Sequence, residues 1–127
     1  MIERQRIQSS FEAFEKLLED FARNSDQQDA DWRRKLVELR RQLQERLIGM
    51  RAALQAHEAR AGSSSDARNL SAALSTIRSE IALHQAEWPA VAIDTSDEGY
   101  RRSVRQLRAA TRRFRATARI AIASLRP

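Results

Sequence analysis

The sequence predicts an all-α protein, an up-down-up-down four-helix bundle. Three observations carry that prediction. Glycine and proline are sparse, at Gly49, Gly62, Gly99, Pro89 and Pro127, among many Ala, Leu, Arg, Glu and Gln, a composition that favours long helices. Apolar residues recur at mixed steps of three and four along four separate stretches, the period of a helix with one buried face. No stretch alternates β-branched and polar residues, so no sheet is expected. Four amphipathic helices joined by short links pack most simply as an antiparallel bundle.

The first helix is expected over residues 5–23, with Ile7, Phe11, Phe14, Leu18 and Phe21 on its buried face. Ser9-x-x-Glu12 reads as a capping box, and a start nearer Ile2 fits the pattern as well. A polar link, Asn24 to Gln28, follows, and Ser25-x-x-Gln28 offers a second cap. The second helix is expected over 28–60, with a seam of Trp32, Leu36, Leu39, Leu43, Leu47, Met50, Leu54 and His57. Two successive steps of four around Leu43 shift its phase. Gly62 is suited to end it, and Gly49 marks where it could bend.

Gly62-Ser-Ser-Ser reads as a turn. The third helix is expected over 66–87, with a seam of Leu70, Leu74, Ile77, Ile81, His84 and Trp88. Pro89 disfavours helical geometry at Trp88 and stops it. In the link that follows, Val91 and Ile93 are apolar and predict a segment lying over the bundle end. Thr95-x-x-Glu98 reads as a capping box for the last helix, expected over 96–125. Its seam is Tyr100, Val104, Leu107, Thr111, Phe114, Ala118, Ala121 and Leu125.

The 127 residues, 42% of them hydrophobic, suit one globular domain spanning 1–127. No cysteine is present, which excludes disulfides, thiolate metal sites, iron–sulfur clusters and cysteine nucleophiles. The first residues lack an apolar run after their charges, so no signal peptide is expected. No stretch approaches the ~20 apolar residues of a membrane span. A cytoplasmic location is therefore expected, with no cofactor.

The formal charge of +6 is unevenly spread. Residues 100–127 hold nine arginines and no acid, whereas residues 1–99 hold 14 basic and 17 acidic residues. Arg101, Arg105, Arg108, Arg112, Arg115 and Arg119 follow spacings of 4, 3, 4, 3 and 4, so they form one line beside the seam. Arg102 and Arg113 widen it. Such a line creates a strong positive field. One reading is internal, with the arginines meeting Glu12, Glu15, Glu19 and Asp20 of the first helix. The others are recognition of a protein partner, or of nucleic acid or another anionic surface. Tyr100 and Phe114 lie on the seam, so they offer bases no exposed stacking platform. No helix-turn-helix, zinc-finger or RNP pattern is present.

The histidines His57 and His84 both sit on apolar seams, each near the C-terminal end of its helix. Antiparallel helices would hold them roughly 25–35 Å apart along the axis, too far to share a metal. No Glu-x-x-His occurs, the motif that di-iron bundles carry. Topology gathers Phe21, Trp32, His84, Trp88 and Tyr100 at one end, as a packed aromatic cap or a small-ligand pocket. No Ser/His/Asp arrangement or phosphate-binding glycine loop is evident, so no catalytic residue is expected. The length of the second helix leaves an overhang that suits a homodimer.

The stretch from Asp66 to Ile122, with Leu74, Ile77, Ile81 and His84 in rhythm, then Pro89 and Tyr100, resembles bacterial hemerythrin-like (HHE) domains. That resemblance implies a four-helix bundle related to di-iron proteins. The family's carboxylate ligand at the position four after the histidine is here Trp88, with Glu87 one residue early, and most of the family's histidines are missing. It therefore implies a member that has lost its metal and serves in binding or regulation. The expectation is a non-enzymatic interaction module, with anion binding through the last helix, or metal or small-ligand sensing around His84, as the alternatives.

Overall fold

A computed structural model describes residues 2–126 of the chain. Four long helices and one short 3₁₀ turn make up its regular structure: α1 (Ile2–Gln27), α2 (Trp32–Ala61), α3 (Ser65–Glu87), the 3₁₀ turn Ala90–Ala92 and α4 (Glu98–Ser124). No strand occurs among the described residues. The all-α, four-helix prediction therefore holds. Contacts gather into two compact units. One runs from the first described residue to Ser63 and takes in Arg126, and the other is Ser64–Leu125.

The first unit is an antiparallel pair, α1 and α2. Arg60 at the end of α2 reaches Glu3 at the start of α1, Nε to Oε2 at 3.2 Å. At the other end Asn24 donates through Nδ2 to the carbonyl of Trp32 at 2.9 Å. Ile7, Phe11, Phe14 and Leu17 of α1 are buried, as are Leu36, Leu43, Leu47, Met50, Leu54 and His57 of α2. Leu17, rather than the predicted Leu18, takes the deepest place on the turn after Phe14, and Phe21 and Leu39 are half-buried. Phe11 and Phe14 stack with ring centroids 6.4 Å apart.

The predicted caps at Ser9 and Ser25 are not used, because α1 runs through both residues. Its first turn lies upstream of Ser9, so the amides at Ser9 already have helical carbonyls to bond and no orphan donor remains to cap. At the other end Gln28 leaves the helix at φ 39°, with its amide still bonded to the Asn24 carbonyl at 3.2 Å. Asp29 then organises the link: Oδ1 accepts from the Asp31 amide at 3.0 Å and Oδ2 from Lys35 Nζ at 2.8 Å. This contact holds the Asp29 carboxyl below its ordinary range. α2 is continuous through Gly49 and stops at Gly62, whose φ of 83° is left-handed backbone that a side chain resists.

The second unit pairs α3 and α4, also antiparallel. Ser64 caps α3, its Oγ accepting from the Ala67 amide at 3.1 Å. Of the expected seam, Leu70, Leu74, Ile77, Ile81 and His84 are buried, and Trp88, one residue past the helix end, is half-buried. The link places Ile93 inside, 2% exposed, and turns Val91 out, 87% exposed. Only one of the two apolar link residues is therefore covered. The cap of α4 is Asp97, not Thr95. Asp97 Oδ1 accepts from the amides of Gly99 at 2.7 Å and Tyr100 at 3.3 Å. Asp94 explains the shift, since its Oδ1 takes both the Ser96 amide at 2.9 Å and the Ser96 hydroxyl at 2.6 Å. That turn keeps residues 94–96 out of the helix.

Candidate functional site

Two candidate sites from the sequence lie on the second unit: the arginine line of α4 and the surroundings of His84. The line exists because α4 is straight-periodic and acid-free after its first residue. Thr111, Phe114, Ala118, Ala121 and Ile122 are buried, which fixes the rotation of the helix. Arg101, Arg105, Arg108, Arg112 and Arg119 are then exposed, and Arg115 is half-buried. Arg102 and Arg113 are exposed too, on a flanking row. From Arg101 to Arg119 the line runs roughly 27 Å at the rise of a helix.

Charge pairing along this line is sparse within α4 itself. Arg105 Nη2 bonds Glu98 Oε1 at 2.9 Å. That bond, with the field of Arg105 and then of Arg101 and Arg102, lowers the Glu98 carboxyl from its ordinary value. Arg101, Arg108 and Arg112 make no ion pair among the described residues. Of the acids expected to neutralise the line, Asp20 bonds Lys16 at 3.0 Å and Arg23 at 3.2 Å on its own helix. Glu12 accepts from Gln8 at 2.9 Å.

His84 is a buried side chain at the end of α3. Its Nδ1 lies 2.7 Å from Ser103 Oγ on α4. The ring stands 6.1 Å from that of Tyr100, and Tyr100 meets Trp88 edge-on at 5.5 Å. His84, Trp88 and Tyr100 are therefore one cluster. Phe21 and Trp32, expected beside them, belong to the first unit, where the Arg33 guanidinium lies 4.6 Å over the Trp32 ring. His57 is 1% exposed on α2, and its Nδ1 has no hydrogen-bond partner among the described residues.

The residues do not fit a di-iron centre. Among the described residues, no three His, Asp or Glu side chains converge as metal ligands would. One nitrogen of His84 is engaged by a serine hydroxyl, and the position four after it is the indole of Trp88. Imidazole needs carboxylate or further imidazole partners to hold iron, and this cluster supplies aromatic rings instead.

A third feature was not read from the sequence. An open trough of about 300 Å³ lies between α3 and α4, lined among others by Ala72, Ala73, Ala110, Ile77 and Phe114. Its signal was present as two apolar residues off the seams, Leu83 and Ile120, which are 71% and 70% exposed. No helix among the described residues is long and apolar enough to cross a membrane. Compared with known proteins, the chain matches no family model, no curated protein and no solved structure.

Proposed function

We propose that this protein is a non-catalytic interaction module that docks an acidic surface of a partner protein along the arginine line of α4. The observation that carries the reading is the exposure of Arg101, Arg105, Arg108 and Arg112 in one row, with Glu98 the single acid of the helix. A row at steps of three and four matches the spacing at which acids recur along one face of another helix. Planar guanidinium groups bind carboxylates in a bidentate fashion. An acidic protein is favoured over a nucleic acid because the aromatics of α4 are turned inward, Phe114 being 4% exposed, and so offer no stacking platform. The resemblance to hemerythrin-like domains fits this reading as a helical scaffold that has exchanged metal chemistry for recognition.

The test is a titration of the protein with a glutamate-rich helical peptide and, separately, with duplex DNA. Peptide binding should weaken steeply with salt, and the triple change Arg105→Ala, Arg108→Ala and Arg112→Ala should weaken it roughly tenfold or more. Binding that ignores salt and the triple change would remove the reading. A clear preference for duplex DNA, with a salt slope that falls in the triple variant, would replace the protein partner by phosphate.

A further inference from the structure

The charged row of α4 begins one step before its first arginine. Glu98, Arg101, Arg105, Arg108 and Arg112 follow steps of three, four, three and four, so Glu98 holds the N-terminal place on the same line. At 100° per residue it points roughly 20° from Arg105 and roughly 50° from the mean direction of the four arginines. An acid in the first turn suits the helix dipole, and all five residues are exposed. The strip that a partner meets is therefore not uniform. One carboxylate stands at its end, ahead of the guanidinium groups.

That carboxylate is engaged with the line itself. Glu98 Oε1 accepts from Arg105 Nη2 at 2.9 Å, and both side chains are 61% exposed. Seven residues of helix rise roughly 10 Å. The pair is made with Arg105 folded back along the helix, the direction in which helical side chains lean. Its guanidinium is thus drawn toward Glu98 and away from the turn it would otherwise cover. Arg101 and Arg108 on either side, and Arg112 beyond, make no ion pair among the described residues. The line is open at three places and occupied at one, between the first and the third. The Arg105 bond, then the fields of Arg105, Arg101 and Arg102, hold the Glu98 carboxyl below its ordinary value. Glu98 is therefore charged wherever a partner's ordinary carboxylates are charged. An exposed pair of this kind is weak, so a partner can displace it, at a few-fold loss of affinity.

Resting on the reading of the arginine line as a docking surface, we propose that Glu98 determines which acidic helix that surface accepts. It competes with the partner's carboxylates for Arg105, and it favours a helix that places a cation opposite Glu98. A helix acidic along the whole strip must break the pair and also face the freed carboxylate. A helix whose acids meet Arg105, Arg108 and Arg112, and whose next row position is a lysine or arginine, breaks the same pair but gives Glu98 a new partner. The repulsive contact is what separates the two. A partner antiparallel to α4 brings its C-terminal turn beside Glu98, where a cation suits its own dipole. The fitting occupant is thus an acidic helix that ends in a basic residue and runs antiparallel to α4.

Fluorescence anisotropy with three helical peptides and the whole chain tests this at low salt. One peptide carries glutamates at every row position. The second has lysine as the last row position, and the third has lysine as the first. The wild type should prefer the second over the first roughly two- to fivefold, the range of an exposed pair. Glu98→Gln should strengthen binding of the all-acidic peptide by a similar factor and erase the preference, and Glu98→Lys should reverse it. In the Arg105→Ala background the gain from Glu98→Gln should shrink, since no competition is left to relieve. Circular dichroism should be unchanged in the Glu98 variants, the residue being exposed. Binding that is indifferent to the lysine and to Glu98→Gln would overturn this inference and leave the arginine line standing. An equal gain in the Arg105→Ala background would show plain repulsion in place of competition and would overturn it, as would a preference for the third peptide. Failure of every peptide to bind wild type and Glu98→Gln alike would remove the line as a docking surface, and this inference with it.

Discussion

Removing the Ser103 hydroxyl tests whether His84 is a structural latch between α3 and α4. Its Nδ1 sits 2.7 Å from Ser103 Oγ, and the ring is 9% exposed. Ser103→Ala takes away that partner in a buried setting, which costs about 1–3 kcal/mol. His84→Leu keeps a similar volume and removes the polar ring. The stranded Ser103 hydroxyl is half-buried and on a helix, where it can turn to the carbonyl one turn back. That single change should therefore cost no more than the first. With both groups apolar the unmet polarity disappears, so the double variant should be about as stable as the better single one. The coupling expected from a double-mutant cycle is then about 1 kcal/mol or more, read from urea midpoints at constant slope. Additivity of the two single changes within about 0.3 kcal/mol would show that the contact carries no stability, and the latch would be wrong.

Two further outcomes follow from the ends and the surfaces of the helices. Asp97→Ala should cost about 1 kcal/mol, because it strands the amides of Gly99 and Tyr100, whereas Thr95→Ala should be close to neutral; equal losses in thermal melts would restore Thr95 as the cap. The Glu38 carboxyl is lowered from 4.5 to about 2 by its bond with Arg41, and Glu98 is lowered by Arg105. Since both folded-state values lie below the unfolded ones, the stabilisation is present above the unfolded range and lost as pH falls, for Glu38 between about 4.5 and about 2. Melting temperature should therefore decline over that acid window, less steeply in Glu38→Gln, and a decline of the same slope in wild type and variant would count against the pair.

Helix number and core faces were legible because they depend on periodicity, which each helix repeats many times over. The seam of α3 from Leu70 to His84 is buried residue for residue. Helix ends were less legible, because they depend on which side chain wins a few amides. Thr95 and Asp97 both offer an oxygen at the right kind of position. Asp94 decides between them by binding Ser96 twice, a contact with no period to announce it. Ser25 fails as a cap for a related reason: Asn24 and Asp29 make the turn that follows it. The arginine line was legible from spacing alone, and its exposure follows from the burial of Phe114 and Ala118 beside it. The trough was not legible. Ala72, Ala73, Ala110, Thr76 and Thr117 carry no pattern, because a depression is made by what side chains lack. Only Leu83 and Ile120, apolar and out of phase with their seams, marked the face on which it lies.

The rotation of α4 joins these observations into one argument. A helix that buries Phe114, Ala118 and Ala121 has its remaining directions fixed, and this one divides them between two chemistries. One side carries guanidinium groups, which repel a second copy of themselves and attract carboxylates. The other borders the trough beside α3, with Arg113, Thr117 and the exposed Ile120 along it and Glu80 of α3 in the same lining, a surface of mixed chemistry and mixed charge. A partner helix with acids at steps of three and four would meet only the first side, so changes at Arg113 or Thr117 should leave its binding close to wild type, while changes at Arg105, Arg108 and Arg112 should not.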